Sequence, residues 1–344
     1  MRFFRLMPMF ALALSLLFLN SCTQEDITPQ STTNAEVDFR NRGGNDNNNN
    51  GPNNGNPVGD QTIVEIASSI PDFSILVDAV VKAGLVDALN NPSRKVTVFA
   101  PTNDAFVALL DAAGFASLDD VPVDVLTSIL LTHVLPGTKF AADLSTDYFR
   151  TSDKVFGLNF TKIFIEVDGG VSINDNVNVV DTDIAASNGV IHVIDAVIQP
   201  STLLSFVTSN DNFSILVQAL TRPDLTIDFV GAISGEGPFT ILAPTNDAFI
   251  ALLGALGLDS LDDIPTETLE AVLSYHVVAG ENYTARNFQR EVTANTLLGE
   301  TYSTKKNGSA GVIINANSNT ANVIVADVQA VNGIIHAIDT VILP

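Results

Sequence analysis

Two stretches decide how this chain folds: Thr97-Val98-Phe99-Ala100-Pro101-Thr102-Asn103-Asp104-Ala105-Phe106 and Thr240-Ile241-Leu242-Ala243-Pro244-Thr245-Asn246-Asp247-Ala248-Phe249. Each opens with an apolar, β-prone run that reads as a short buried strand. Each then passes through Pro-Thr-Asn-Asp, whose side chains cap a helix N-terminus and place an acid in its first turn. Working outward, the copying continues. Phe73-Ser74-Ile75-Leu76-Val77 returns as Phe213-Ser214-Ile215-Leu216-Val217, and Leu118-Asp119-Asp120-Val121-Pro122 returns as Leu261-Asp262-Asp263-Ile264-Pro265. Asn188-Gly189-Val190-Ile191-His192-Val193-Ile194-Asp195 returns as Asn332-Gly333-Ile334-Ile335-His336-Ala337-Ile338-Asp339. The offset stays between 140 and 144 residues, which means two domains rather than a short-period solenoid. The boundaries fall at 61–200 and 201–344, with almost no linker, so the range of interdomain angles is expected to be narrow.

Within each copy, helices come first and strands follow. Phe73 to Leu89 and Ala105 to Leu110 carry apolar residues at helical spacing, and Pro122 precedes a helical face of Leu126, Ile129, Leu130 and His133. Thr161 to Val167, Asp168-Gly169-Gly170 and Val171 to Asn174 read as a β-hairpin. Val190 to Ile198 is apolar on both faces except at His192 and Asp195, the pattern of a central strand. The fold class is α+β in both halves.

These duplicated motifs resemble the two signature segments of the fasciclin (FAS1) domain, in the right order and twice over. The resemblance implies tandem domains, each a seven-stranded β-wedge with a small helical layer. It also implies secreted or surface-anchored adhesion and matrix proteins without a cofactor. In animal members two segments are tied to adhesion, and both can be placed here. A Tyr-His pair matches Tyr275-His276, with Thr132-His133 in the first copy. An Asp-Ile pair matches Asp183-Ile184, with Asp327-Val328 as its counterpart. His133, Asp183, Ile184, Tyr275, His276, Asp327 and Val328 are therefore the expected partner-binding residues.

Composition narrows the function further. Of 344 residues 46% are hydrophobic, and 39 Asp+Glu outweigh 16 Lys+Arg for a net charge of −23. That excludes a nucleic-acid binder, which needs a basic face, and excludes disorder as the main state. The single cysteine excludes a disulfide scaffold and a multi-cysteine zinc site. No Gly-x-Ser-x-Gly, His-Glu-x-x-His or phosphate-loop pattern occurs, so no catalytic, cofactor-binding or metal-binding residue is assigned and the protein is read as a non-enzyme. The four histidines fall at equivalent positions of the two copies and read as buried core residues. Zero Trp and four Tyr make a sugar-stacking platform the weaker alternative, that of a glycan-binding accessory lipoprotein in a polysaccharide-uptake system. The three extra residues in the second copy around Asp224 to Glu236 stand where a partner-selecting loop is expected.

The N-terminus carries an address. Arg2 and Arg5 precede an apolar run from Phe10 to Leu19, as in an export signal covering residues 1–21. Leu19-Asn20-Ser21-Cys22 resembles a bacterial lipoprotein processing site, so Cys22 is the expected lipidation site, at the outer membrane or cell surface. Residues 22–60 read as a flexible tether: between Asn41 and Asn56, nine of sixteen residues are Asn and four are Gly. The expected contacts are the membrane through the lipid alone, and a cell-surface or matrix protein or polysaccharide.

Overall fold

The computed structural model describes residues 60–157, 159–308 and 311–344. Cys22 and the expected signal and tether lie outside the described residues.

The first copy runs α1 (Ile63–Ser69), α2 (Ser74–Lys82), α3 (Val86–Leu89), β1 (Val96–Pro101), α4 (Asn103–Ala113), α5 (Val123–Thr132), β2 (Val134–Pro136), β3 (Asp147–Val155), β4 (Asn159–Val167), β5 (Val171–Ile173), β6 (Val177–Ala186) and β7 (Gly189–Ile194). The second runs α6 (Leu203–Thr208), α7 (Ser214–Leu220), α8 (Phe229–Ile233), β8 (Phe239–Pro244), α9 (Asn246–Leu256), α10 (Thr266–Tyr275), β9 (Val277–Ala279), α11 (Ala285–Phe288), β10 (Thr293–Asn295), β11 (Thr301–Asn307), β12 (Gly311–Asn315), β13 (Thr320–Ala330) and β14 (Gly333–Ile338). Each copy holds one seven-stranded sheet, ordered β2-β1-β7-β6-β5-β4-β3 and β10-β11-β12-β13-β14-β8-β9. The two signature strands of each copy lie side by side and parallel, β1 on β7 and β14 on β8, while the remaining pairs are antiparallel. Both β1 and β7 are buried along their full length, which is why they read as continuous apolar runs.

The capping prediction holds at both signatures. Thr102 and Thr245 accept from the Ala105 and Ala248 amides at 3.3 and 3.4 Å, while Asn103 and Asn246 reach back to the preceding helices. The Asn103 amide oxygen accepts from Ile75 N–H, and its nitrogen donates to the Pro71 carbonyl. Asn246 does the same with Ile215 and Asp211. The second signature locks the layer from the other side. Asn188, fully buried, accepts from Ile63 N–H and donates to the Leu89 carbonyl, and Asn332 repeats this with Leu203 and Ile233. The next residue has to be glycine: at Gly189 (φ +157°) a Cβ would sit 1.9 Å from the Val96 carbonyl oxygen. The long helix expected over Phe73 to Leu89 is divided instead, because Gly84 at φ +67° ends α2 before α3 begins.

Each copy has two apolar clusters. One packs the helices on the sheet, around Phe73, Phe106 and Leu126 in the first copy and Phe213, Phe249 and Leu269 in the second. The other fills the curved inside of the sheet, around Phe99, Ile163 and Ile194, and around Tyr275, Tyr302 and Phe288. Phe164, on the outer face of β4, joins the helical core of the second domain. Tyr148 packs tilted against Phe164 at 4.9 Å, meets Phe206 edge-on at 5.6 Å and accepts a 2.8 Å hydrogen bond from Asn210. These contacts form an aromatic joint between the two domains.

Candidate functional site

The residues expected to meet a partner fall into two structural groups. The first lies at the helix-to-strand corner. His133 and His276 follow α5 and α10 as their C-caps. At each, Nδ1–H donates to a carbonyl one turn back, Ile129 at 2.8 Å or Val272 at 2.7 Å, and Nε2 accepts from the amide of Ile198 or Ile342. These partners fix the neutral tautomer. Burial lowers both pKa values from 6.5 to about 4. Tyr275 is fully buried, donates to the Thr301 carbonyl at 2.9 Å and meets Tyr302 edge-on. The expectation that Tyr275, His276 and His133 touch a partner therefore meets a packed interior, where the histidines tie the helical layer to the segments that follow β7 and β14 and Tyr275 ties it to β11.

The second group lies on a β-bulge. β6 and β13 both slip register against β7 and β14, and there Asp183 and Asp327 take left-handed φ values of +65° and +59°. The bulge turns the carboxylate toward the loop beneath it: Asp183 accepts from Ala141 N–H at 2.8 Å and Asp327 from Ala285 N–H at 2.7 Å. Below them, His192 and His336 each accept from the aspartate's own amide through Nδ1 and donate through Nε2 to Lys139 or Tyr283 carbonyl. Burial lowers the pKa of both imidazoles. Asp195 and Asp339 stand apart from these rings and instead clamp Asn178 and Asn322 through amide and side chain at 2.8 Å.

The two bulges face different surroundings. Asp183 is exposed and Ile184 half-buried. Asp327 is half-buried and Val328 buried, and the preceding Ala326 carbonyl lies 3.5 Å from Lys162 Nζ of the first domain. One copy of the expected contact pair is thus open and the other lies against the interdomain joint.

Sequence reasoning missed two features near these residues. A cleft of about 610 Å³ opens between α5 and β3, with Asp153 buried and bonded to Ser128 at 2.9 Å. An apolar groove of about 510 Å³ runs between α4 and α5 and is closed by Gln199, Pro200 and Val331 at the junction. The loop marked around Asp224 to Glu236 is largely structural: it carries α8, whose Phe229 and Ile233 are buried in the core. Among the described residues no three or more His, Cys, Asp or Glu gather to hold a metal ion, and no helix is long and apolar enough to cross a membrane.

Comparison with known proteins follows this geometry. The Fasciclin domain matches residues 71–200 and 211–344. Protein sll1483 of Synechocystis sp. (strain ATCC 27184 / PCC 6803 / Kazusa) is 43% identical over 144 residues, 42% of this chain and 73% of that protein. Transforming growth factor-beta-induced protein ig-h3 of Sus scrofa is 28% identical over 250 residues, 72% of this chain but 34% of its own length. Cell surface glycolipoprotein MPB83 of Mycobacterium bovis is 30% identical over 142 residues, 40% of this chain and 58% of that protein.

Proposed function

The chain belongs to the fasciclin domain family, and on that premise we propose that it is a non-catalytic surface protein whose joined domain pair makes adhesive or matrix contacts from a lipid anchor at Cys22. The observation that carries the reading is how the ionisable groups are used. All four histidines have both ring nitrogens engaged, with carbonyls, amides or both, in the interior. A general base has to keep one nitrogen free for its substrate. The relative described as a cell-surface glycolipoprotein supports the anchored, outward-facing placement.

Contact is assigned to the Asp183-Ile184 bulge of the first domain, which is open, in preference to Asp327-Val328. Tyr148, Tyr275 and Tyr302 are committed to the joint and the core, so tyrosine offers little to a sugar platform. Weak domain contacts gain strength from many copies on one surface. The test is to display the full chain on a non-adherent cell and count attachment to immobilised matrix. Attachment should rise with display density and fall when Cys22→Ser removes the anchor. Attachment indistinguishable from undisplaying cells would reject the adhesive reading.

A further inference from the structure

The outer face of the β3–β4 hairpin changes character along its length. Tyr148 pairs with Phe164 at the end seated on the second domain, Arg150 pairs with Lys162 next, and Lys154 pairs with Phe160 beyond. Arg150 stacks its guanidinium 3.7 Å from the Phe160 ring centroid, and Lys154 Nζ lies 5.2 Å from the same centroid. Arg150 and Lys154 are exposed. Among the described residues an ion pair joins Arg222 to Asp224, and no described carboxylate pairs with Arg150 or Lys154. In a chain of net charge −23, two exposed cations sharing one aromatic ring form a local exception.

Resting on the adhesive reading above, we propose that Arg150 and Lys154 on Phe160 form a docking site for an acidic polysaccharide, a polymer carrying carboxylates along its sugars. Stacking on Phe160 fixes the guanidinium plane and leaves its N–H edges for a carboxylate, which the planar fork grips in bidentate fashion. Ordering the cation before the ligand arrives reduces the entropy lost on binding. The two charges flank one ring on the same strand, so a carboxylate gripped by Arg150 leaves Lys154 for the next one along a polymer. A flat lipid surface fits less well, because the strip ends against the second domain at Tyr148, Phe164 and Lys162 and so forms an inside corner. The distributed negative charge does not forbid this contact. At physiological salt, charges farther than about 8 Å are screened while pairs in contact are not.

The second domain lacks the site. Across the sheet Ile165 pairs with Ile173, as Thr304 pairs with Ile314, so Arg150, Lys162 and Phe160 correspond to Asn295, Thr301 and Gly299. The full chain is assayed on immobilised polygalacturonate, with neutral dextran and phosphatidylglycerol vesicles as parallel probes. Salt-sensitive retention on polygalacturonate alone is expected, reduced tenfold or more by Arg150→Glu with Lys154→Glu and unchanged by Lys305→Glu with Lys306→Glu. No retention, equal retention on dextran, equal or stronger retention on the vesicles, or indifference to the Arg150 and Lys154 changes would each overturn the proposal. Cell attachment is scored on the same variants. Attachment that survives in Arg150→Glu, Lys154→Glu while polygalacturonate binding was never present rejects this site alone; wild-type protein that never attaches rejects the broader reading.

Discussion

The two halves share their signature strands, caps and buried histidines, and they part company on the outer face of the ribbon opposite. In the first domain that face carries Tyr148, Phe164, Arg150, Lys162, Lys154 and Phe160, and it both grips the second domain and gathers positive charge. In the second, the matching ribbon carries Thr293, Ser303, Asn295 and Thr301, and Ser303 is exposed where Phe164 is buried. The interior keeps the signature strands and their backbone contacts while exchanging side chains, Phe99 and Ile163 of the first copy for Leu242 and Tyr302 of the second. The outer face is free to differ, and there one copy has become a joint and the other a plain solvent surface. The joint is therefore directional: a second molecule could not dock through β11 as the first domain docks through β4.

The largest effect expected tests the shared part. Gly189→Ala places a Cβ 1.9 Å from the Val96 carbonyl, and Gly333→Ala places one 2.4 Å from the Phe239 carbonyl. Both should separate the parallel signature strands, costing more than about 4 kcal/mol, with Gly189→Ala the worse because its φ is also unfavourable. Circular dichroism during denaturant unfolding measures this. Equal, mild losses would mean the parallel pair is not what holds each domain.

The next prediction addresses the part that differs. Phe164→Ala empties a buried aromatic position of the second domain's core and should cost about 3 kcal/mol, whereas Ser303→Ala should change stability by less than about 0.5 kcal/mol. The informative readout is cooperativity: with Phe164 gone, calorimetry should resolve two transitions where the parent shows one. A single unaltered transition would deny the joint any energetic role.

Acid should affect both halves in the same direction. His133 and His276 have folded-state pKa values near 4 against about 6.5 in the unfolded chain. As pH falls below 6.5 the unfolded chain takes up these protons first, so stability drops until the folded state also protonates near pH 4. At pH 5 each histidine should remove about 2 kcal/mol relative to neutral pH, and His192 and His336 act in the same sense. Domain one carries an opposing group: burial raises the pKa of Asp153, so the folded state there takes up a proton before the unfolded one and recovers some stability. Melts of the Phe164→Ala chain at pH 7.5 and 5, where the two transitions are resolved, should show the second domain losing more. Replacing His276 by Gln should flatten that dependence.

What could be read from the sequence follows the same division. The β1 and β7 strands were legible because both faces are buried, and the helix after Thr102 because its cap is local. β3 and β6 were not, since bulges interrupt their period of two and their outer faces mix Tyr, Arg, Ser and Lys. The sequence could not decide whether Tyr275 closes the core or meets a partner, because a helix C-terminus beside a histidine does not say which way the ring turns. The Arg150, Lys154 and Phe160 cluster left only a faint signal, two cations four apart facing an aromatic across a turn at Gly157. Hairpin register, not spacing in the chain, brings them together.

The smallest expected effect separates a conserved job from its two executions. Lys82 closes the end of α2 by donating to the Leu118 and Val121 carbonyls at 2.6 and 3.1 Å. Arg222, 140 residues later, donates to the Leu261 and Ile264 carbonyls at 2.8 Å and also grips Asp224 with two nitrogens. That second grip anchors the start of the inserted segment carrying α8. Lys cannot reproduce it, because an ammonium lacks the planar fork. Arg222→Lys should keep the carbonyl contacts, release the insertion and lower Tm by about 3 °C. Lys82→Arg, with no insertion to hold, should leave Tm within about 1 °C. Hydrogen exchange across Asp224 to Gly235 should quicken only in the first variant. Unchanged exchange there would mean that Phe229 and Ile233, buried beneath, hold the segment unaided.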